Sequence, residues 1–319
     1  MDLKDKKLLY ELDKNSRQSS AQISKNIRLN KNTTNFRINK LVKENYISGF
    51  YPSIDISKLG FFAFRVYFKF VNTNSLKERA ILETLKSNKI VGVIAELESV
   101  YDIMFMAIVE DIYKFDNFWR VFKEKYRKYF WQEKISVMTK VIHLERNYLL
   151  SDKLNTNIEV IGENKIEKFD SKDIKILYIL SKNCRTSILE LSKKLKMPPK
   201  TIAFRIKQME KKRIIQGYRV NLNLEKLGYS YYKVNFKFNN NQKINEIIRY
   251  VKNNPNVVFI DFSISDYDFE IDVEIENKEK LINLIKDIKN NFKSVMDYEI
   301  MMFKKYHKLE SVPFISINE

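Results

Sequence analysis

The sequence is poor in the residues that build most catalytic and metal sites. Its 319 residues include one cysteine, Cys184, and two histidines, His143 and His307. A single cysteine excludes an intrachain disulfide and a cysteine-based zinc site, and two histidines exclude most histidine-rich metal chemistry. The six glycines form no G-x-G-x-x-G, P-loop or G-x-S-x-G motif. We therefore expect no catalytic residues, no metal and no cofactor.

Long hydrophobic runs are also missing. No apolar stretch approaches the roughly 18 residues of a membrane helix. The first five residues, MDLKD, are charged at once, unlike a signal peptide. Hydrophobic residues still make up 44% of the chain, which is enough to build cores. The sequence predicts a folded cytoplasmic protein whose thiol stays reduced.

Positive charge is in excess, and it is concentrated in two segments. The formal net charge is +18. Residues 1–57 contain 11 Lys or Arg against 6 Asp or Glu, and residues 169–225 contain 14 against 5. An AT-rich genome would also enrich lysine, but it would spread lysine evenly along the chain. The concentration favours a nucleic-acid partner, because phosphate neutralisation requires clustered cations.

The chain contains one unit twice. Residues 5–70 align without a gap on residues 173–238 at a constant offset of 168, and Gly49 and Gly60 match Gly217 and Gly228. The similarity continues more loosely to His143 and His307. We interpret the chain as two units of about 150 residues. A polar segment, residues 151–168, is predicted to be the linker between them.

Each unit has a helical part and a sheet part. Apolar residues spaced by three and four predict three short helices in residues 1–57 and again in 169–225, arranged as a helix-turn-helix. Any small helical bundle remains an alternative for the helices alone. Residues 58–150 and 226–319 alternate with a period of two and predict the order βαββαβ of a ferredoxin-like sheet. The expected fold class is α+β, with two copies of a winged helix-turn-helix module followed by a ferredoxin-like domain.

Several stretches of the second unit resemble the Lrp/AsnC family of transcription regulators. They are DIKIL at 173–177, NCRTS at 183–187, LELS at 189–192, TIAFRI at 201–206, IQGY at 215–218 and KLG at 226–228. Members of that family carry one such unit per chain and pair their sheets as dimers. The resemblance therefore implies a DNA-binding regulator whose two units form an intrachain pseudo-dimer, with a homodimer of that pseudo-dimer as a further option.

The third helix of each module is expected to contact double-stranded DNA. On a helical wheel, the residues opposite the apolar stripe are amides in copy one and ammonium groups in copy two. The predicted DNA-binding residues are Asn32, Asn35, Phe36, Arg37, Asn39 and Lys43, with Lys200, Thr201, Phe204, Arg205, Lys207 and Lys211; Ala203 lies on the same face. We predict that copy one reads bases and that copy two mainly holds the phosphate backbone. Two modules at fixed spacing suit two half-sites about one helical turn apart, or a multiple of that.

Two pairs of these residues leave alternatives open. Phe36 and Phe204 either contact thymine methyl groups or fold against their own domains. Arg37 and Arg205 either bind phosphate, which we favour, or tie the third helix to a carboxylate.

The sheet halves of the two copies differ in charge. Glu270, Asp272 and Glu274 alternate with apolar residues where copy one has Met104, Met106 and Ile108. Since the first and third strands of a ferredoxin-like sheet are neighbours, Lys233 and Lys237 are predicted to pair with these carboxylates. The alternative is a solvated strand face. Pairing would make the interface between the copies unequal.

The resemblance also implies a small-molecule effector, such as an amino acid, bound near the loop before the third strand. The matching loop residues are Ser99, Tyr101 and Asp102, with Ser265, Tyr267 and Asp268 in copy two. Serine stands in both copies where the family usually has glycine, which weakens this expectation.

Two other functions compete with regulation. Siroheme decarboxylases resemble tandem units of the same family and use basic and histidine residues of the sheet half, where His143 and His307 lie. The proline-rich and His/Arg-rich segments associated with those enzymes are not visible, so we predict that the chain is not an enzyme. A protein that coats DNA without sequence choice is the other alternative.

Overall fold

The computed structural model describes residues 1–150, 158–162, 165–240, 243–310 and 312. Within these ranges no helix is both long and apolar enough to cross a bilayer. The first unit contains α1 (Leu3–Lys14), α2 (Ser20–Ile27), α3 (Lys31–Lys43), β1 (Ile47–Ile54), β2 (Phe62–Phe70), α4 (Ser75–Ser87), β3 (Val91–Glu98), β4 (Ile103–Val109), α5 (Ile112–Tyr126) and β5 (Phe130–His143). A short strand, β6 (Glu159–Ile161), follows. The second unit contains α6 (Ser171–Lys182), α7 (Ile188–Leu195), α8 (Pro199–Lys211), β7 (Ile215–Leu222), α9 (Leu224–Leu227), β8 (Ser230–Phe238), α10 (Ile244–Lys252), β9 (Val257–Ile264), β10 (Phe269–Ile275), α11 (Lys278–Asn291) and β11 (Val295–Leu309).

This element order confirms the α+β fold class and the two helix-turn-helix modules. Both modules begin in the same way, since Asp2 with Asp5, and Asp170 with Asp173, form capping boxes at the first turns of α1 and α6. These carboxylates satisfy backbone N–H groups that a helix leaves without partners. Pro199 stands in the first turn of α8, where proline costs no hydrogen bond.

Each unit forms a four-stranded antiparallel sheet of ferredoxin-like order. The strands run β5-β2-β4-β3 in the first sheet and β11-β8-β10-β9 in the second. One face of each sheet packs on its own helices: Phe64, Val66 and Phe68 of β2 contact α4 and α5 in one apolar core. The period-two pattern of β2 is therefore confirmed.

The two sheets join into one closed ring of eight strands. The second half of β5 leaves its own sheet and pairs with β9 of the other unit, with Val141 opposite Asp261. The second half of β11 pairs in the same way with β3, with Tyr306 opposite Ala95. The predicted pairing of the two units thus occurs through exchanged strand ends. We call the sheet faces directed at each other the inner faces.

The helical modules also share elements across the repeat. Strands β1 and β7 pair antiparallel, with Ile47 opposite Leu222 and Ile54 opposite Ile215. Since Ile47 matches Ile215 and Ile54 matches Leu222, the second pair is the first with the two copies exchanged. Ser16 and Cys184, which also match at the offset of 168, meet with Oγ and Sγ 3.1 Å apart in a buried contact. Both kinds of contact are unchanged when the two copies are exchanged, which indicates an approximate two-fold axis through the pair of modules.

The acidic strand β10 is buried on the inner face. Glu270, Asp272 and Glu274 are at most 5% exposed. Lys233 Nζ lies 2.7 Å from Asp261, 3.1 Å from Glu270 and 2.8 Å from Asp272. This confirms the pairing predicted for Lys233 and excludes the solvated alternative.

Two details of that prediction were wrong. Lys237 lies exposed at the far end of β8 and stands opposite Asp297 of β11, so it does not reach the carboxylates of β10. Glu274 instead accepts hydrogen bonds from Arg146, whose Nε lies 2.8 Å from Glu274 Oε2. Lys237 is the last but one residue of β8, beyond the part of that strand that faces β10.

The segment predicted as a linker contains a strand. Residues 151–157, 163 and 164 of it lie outside the described residues, but β6 pairs with the end of β5. From β6, Glu159 accepts a hydrogen bond of 3.0 Å from Arg219 Nε and lies 3.2 Å from His143 Nδ1. Although burial opposes it, these neighbours lower the pKa of Glu159 to about 2. Polar composition alone did not predict this anchored strand.

Gly217 should be required for this arrangement. A Cβ built on Gly217 would lie 2.0 Å from Glu159 Oε1, whereas one on the matched Gly49 would meet nothing within 4 Å. Gly217→Ala should lower the free energy of unfolding by about 1–3 kcal/mol, because it displaces Glu159 from Arg219. Gly49→Ala is the control. Equal losses for both variants in chemical denaturation would contradict this account.

Asp272 should make stability depend on pH. Burial raises its pKa to about 6, from 3.8. The folded state then holds this proton more tightly than the unfolded state does, so stability falls as pH rises between these values. Asp272→Asn should therefore gain in thermal midpoint relative to the parent between about pH 4 and pH 7. Replacement of the exposed Asp297 with asparagine is the control. If the difference in thermal midpoint between Asp272→Asn and the parent does not change with pH, the prediction is wrong.

Candidate nucleic-acid interface

One face of α3 and one face of α8 are free of the protein core. Thr34, Ile38 and Leu41 bury the other side of α3, and Ile202, Ile206 and Met209 bury that of α8. The predicted DNA-facing residues lie where the wheel places them. Asn32, Phe36, Asn39 and Lys43 are exposed and Asn35 is half-buried, while Lys200, Ala203, Phe204, Lys207 and Lys211 are exposed and Thr201 is half-buried.

The turns before these helices hold them in a helix-turn-helix arrangement. Arg28 and Lys196 end α2 and α7 in the left-handed backbone region, with φ of 54° and 50°. Asn30 then caps α3 by accepting a hydrogen bond of 2.7 Å from the backbone N–H of Thr33. The turn therefore takes the same course in both modules, although copy two replaces the asparagine cap with Pro198.

The two phenylalanines do not fold against their domains. Phe36 is 69% exposed and Phe204 is 62% exposed, although phenylalanine normally buries its ring. Both stand at the same position of their helices. Both rings are therefore accessible on the polar faces of their helices.

Arg37 and Arg205 have the carboxylate role rather than the phosphate role that we favoured. Arg37 Nη1 lies 2.8 Å from Asp2 and 2.7 Å from Asp5, and these bonds raise its pKa. Arg205 Nη1 lies 2.9 Å from both Asp170 and Asp173. Each arginine thus ties its third helix to the capping box of the first helix. The D-x-x-D spacing of both boxes was the signal in the sequence for this pairing.

Other cations of the modules are also bound within the protein or buried. Arg17 donates to the carbonyl oxygens of Cys184 and Thr186, and Arg185 donates to that of Ser16, so these matched residues cross the two-fold axis. Arg219 is 1% exposed. The net charge of the modules therefore overstates the charge available to a ligand.

The wheel of the third helix missed further exposed cations. Lys193 lies in the last turn of α7 and Lys196 is the C-cap of that helix, and both are exposed. The sequence KKLK at 193–196 was the signal for them. They extend the basic surface of copy two beyond α8.

The polar side chains of the loops proposed for an effector already accept hydrogen bonds from backbone N–H groups of the loops and of the neighbouring strands. Ser99 Oγ accepts from the Tyr101 N–H at 3.0 Å, and Asp102 accepts from the Phe70 N–H at 2.8 Å. Ser265, Tyr267 and Asp268 repeat these contacts in copy two. A small cavity of the described structure lies elsewhere, lined by Ile56, Phe61, Met138 and Gly162 among others. The loop residues therefore act first as turn-forming groups.

The two histidines lie at the two joints between the sheets. His143 is buried, stacks on Phe259 with ring centroids 4.2 Å apart, and burial lowers its pKa. His307 Nε2 lies 2.7 Å from Glu96 of the other unit. Each histidine has a structural partner at an exchanged strand end.

Comparisons with known proteins agree with this architecture. A family model described as winged helix-turn-helix DNA-binding matches residues 1–48 and 169–216. An uncharacterised HTH-type transcriptional regulator of Pyrococcus furiosus is 32% identical over 121 residues, which cover 38% of this chain and 82% of that protein. The HTH-type transcriptional regulator LrpA of Pyrococcus horikoshii is 46% identical over 61 residues, covering 19% of this chain and 43% of LrpA.

A solved structure shares the fold over almost the full length. The siroheme decarboxylase NirDL superposes with a TM-score of 0.66 at 14% identity, covering 98% of this chain and 94% of that one. At this identity the likeness shows the fold alone, and it extends to both units and their pairing. The sequence relatives named above are regulators. With its two modules and their paired sheets, this chain belongs to the Lrp/AsnC family of helix-turn-helix transcription regulators.

Proposed function

We propose that the protein is a sequence-preferring transcription regulator that binds double-stranded DNA through α3 and α8 together. The observation that carries this proposal is the exposure of matched faces on both helices, each with a phenylalanine between polar residues. Pairing of β1 with β7 fixes the two modules relative to each other. Two fixed readers suit a DNA site with two half-sites, one helical turn or a multiple of it apart.

The two half-sites should be read differently. The α3 face offers the amides of Asn32, Asn35 and Asn39, which can make bidentate hydrogen bonds to adenine. The α8 face offers Lys200, Lys207 and Lys211, which neutralise phosphate as point charges. We infer that the site is not a symmetric palindrome and that copy one supplies most of the base discrimination.

An enzymatic role has less support from the residues. His143 is buried and His307 is bonded to Glu96, so neither points a free imidazole into a cavity. We propose that the chain is not an enzyme and that it works in the cytoplasm, where DNA is accessible. Tetrapyrrole that copurifies with the protein would argue for the siroheme-decarboxylase alternative instead.

A small effector and a homodimer of the pseudo-dimer complete the proposal. An amino-acid effector near Tyr101 and Tyr267 has the weakest support, because the loop hydrogen bonds are already made. Titration of the protein–DNA complex with amino acids tests whether an effector changes DNA binding. Light scattering of the protein measures its mass and so tests the homodimer.

The lysines of α8 should control the dependence of binding on salt. Replacing Lys200 and Lys207 together with glutamine should reduce the slope of log affinity against log salt by about 2, since each phosphate contact contributes about 0.9. Binding should weaken about equally on all DNA sequences. Replacing the exposed but differently placed Lys237 with glutamine is the control, and an unchanged slope for the double variant would refute a phosphate role.

The asparagines of α3 should control sequence choice. Replacing Asn32 and Asn39 with alanine should change which fragments are selected from genomic DNA, with little effect on the salt slope. Each lost bidentate contact should cost about 1–3 kcal/mol on the preferred sequence only. Selection by the parent protein of random fragments would favour a non-specific architectural role.

Phe36 should contact a thymine methyl group. Replacing the contacted thymine with uracil removes one methyl and should weaken binding by the parent about fourfold, which corresponds to about 0.8 kcal/mol. The Phe36→Ala variant should bind thymine and uracil sites equally. A scan of single uracil substitutions with both proteins tests this, and a methyl effect that survives in Phe36→Ala would contradict it.

A further inference from the structure

The inner faces of the two sheets carry net charges of opposite sign over five matched positions. Strand register identifies the matches, because Arg65 lies opposite Met106 in the first sheet and Lys233 lies opposite Asp272 in the second. The matched pairs are Arg65 and Lys233, Ala95 and Asp261, Met104 and Glu270, Met106 and Asp272, and Lys134 and Glu299. At these five positions the first face has two cations and no carboxylate. The second face has one cation and four carboxylates.

These charges meet directly across the space between the sheets. Arg65 Nη1 of the first unit lies 2.8 Å from Glu270 and 3.2 Å from Asp261 of the second. The side chains of Arg65 and Glu270 are 4% and 5% exposed. A cation of the first sheet therefore completes a carboxylate cluster that Lys233 alone does not balance.

A second link crosses the interface between matched positions. Lys134 Nζ lies 3.6 Å from Glu299 and 4.0 Å above the ring centre of Tyr267. Lys134 is 8% exposed in its side chain, and Glu299 is 15% exposed. Two matched residues of opposite charge thus face each other, which two identical units could not achieve.

Pairing of like units would bury an excess of charge of one sign. Two first units would bring four buried cations together with no carboxylate at these positions. Two second units would bring eight carboxylates against two lysines. Buried charges without a partner are strongly unfavourable, and contacts between like charges reject wrong partners.

We propose that the inner-face charges specify the partner of each half: the first unit pairs only with a second unit. The interface thereby selects a complementary half of this same chain and excludes like halves. It equally excludes single-unit relatives whose inner face lacks this pattern. Selectivity of this kind is the best-supported use of buried ion pairs, whose net contribution to stability is often small.

The proposal is tested on the folded full-length protein after one cut. A protease site in place of residues 151–157 allows cleavage after folding. The cleaved protein is dissociated in urea, allowed to reassociate, and examined by native mass spectrometry. We expect reassembled dimers to contain one half of each kind. Like dimers in the proportions of random pairing would overturn the proposal.

The matched control gives the second sheet the neutral residues of the first. It carries Asp261→Ala, Glu270→Met and Asp272→Met, with Arg65→Met and Lys233→Met to remove the partner cations, and Lys134→Gln with Glu299→Gln to remove the second link. Like dimers should appear in this variant. If it still forms only mixed dimers, the charges do not select the partner and the proposal is wrong.

An experiment on the uncut chain covers the case in which cleaved halves do not reassociate. Arg65→Glu should lower the thermal midpoint, because it adds a carboxylate to the cluster. Adding Glu270→Arg should recover most of that loss by restoring an opposite pair. A double variant no more stable than Arg65→Glu would overturn the proposal. Glu270→Gln in the Arg65→Glu background separates restored pairing from relief of repulsion, since it should recover less.

Discussion

The structure depends on the exchange of strand ends between two sheets. β5 and β11 each begin in their own sheet and end in the other, so the pairing of β5 with β9 and of β11 with β3 forms only when both units are present. This closes the ring and leaves neither sheet with the free edge that an isolated unit would expose. The helical modules follow the same rule, because Val220 and Leu222 of one unit complete the core of the other module.

Features that repeat over short distances could be predicted from the sequence. The stripe of α3 and the alternation of β2 follow from spacings of three, four and two residues, and both were confirmed. The paired architecture was implied by the resemblance to the Lrp/AsnC family together with the duplication. The exposed faces of α3 and α8 could be predicted with a helical wheel, because the exposed face lies opposite the buried apolar stripe.

Features that join distant parts of the chain could not be predicted. Arg146 binds Asp13, which is 133 residues away, and the second half of β5 pairs with a strand of the other unit. No local pattern encodes such partners. The helical wheel placed Arg37 and Arg205 beside the DNA-facing residues, but it could not show that carboxylates of their own modules bind them. Composition indicates how many cations exist, and only the fold indicates which remain available.

The covalent connection of the two units has a consequence for gene control at low copy number. A regulator that dimerises from separate chains loses its paired readers on dilution, and its occupancy then falls more steeply than its concentration. Here the effective concentration of one reader beside the other is set by the polypeptide and does not change with expression level. At low occupancy, binding of one chain to an operator should therefore rise in proportion to the number of molecules in the cell, because its two helix-turn-helix modules need no assembly step to come together.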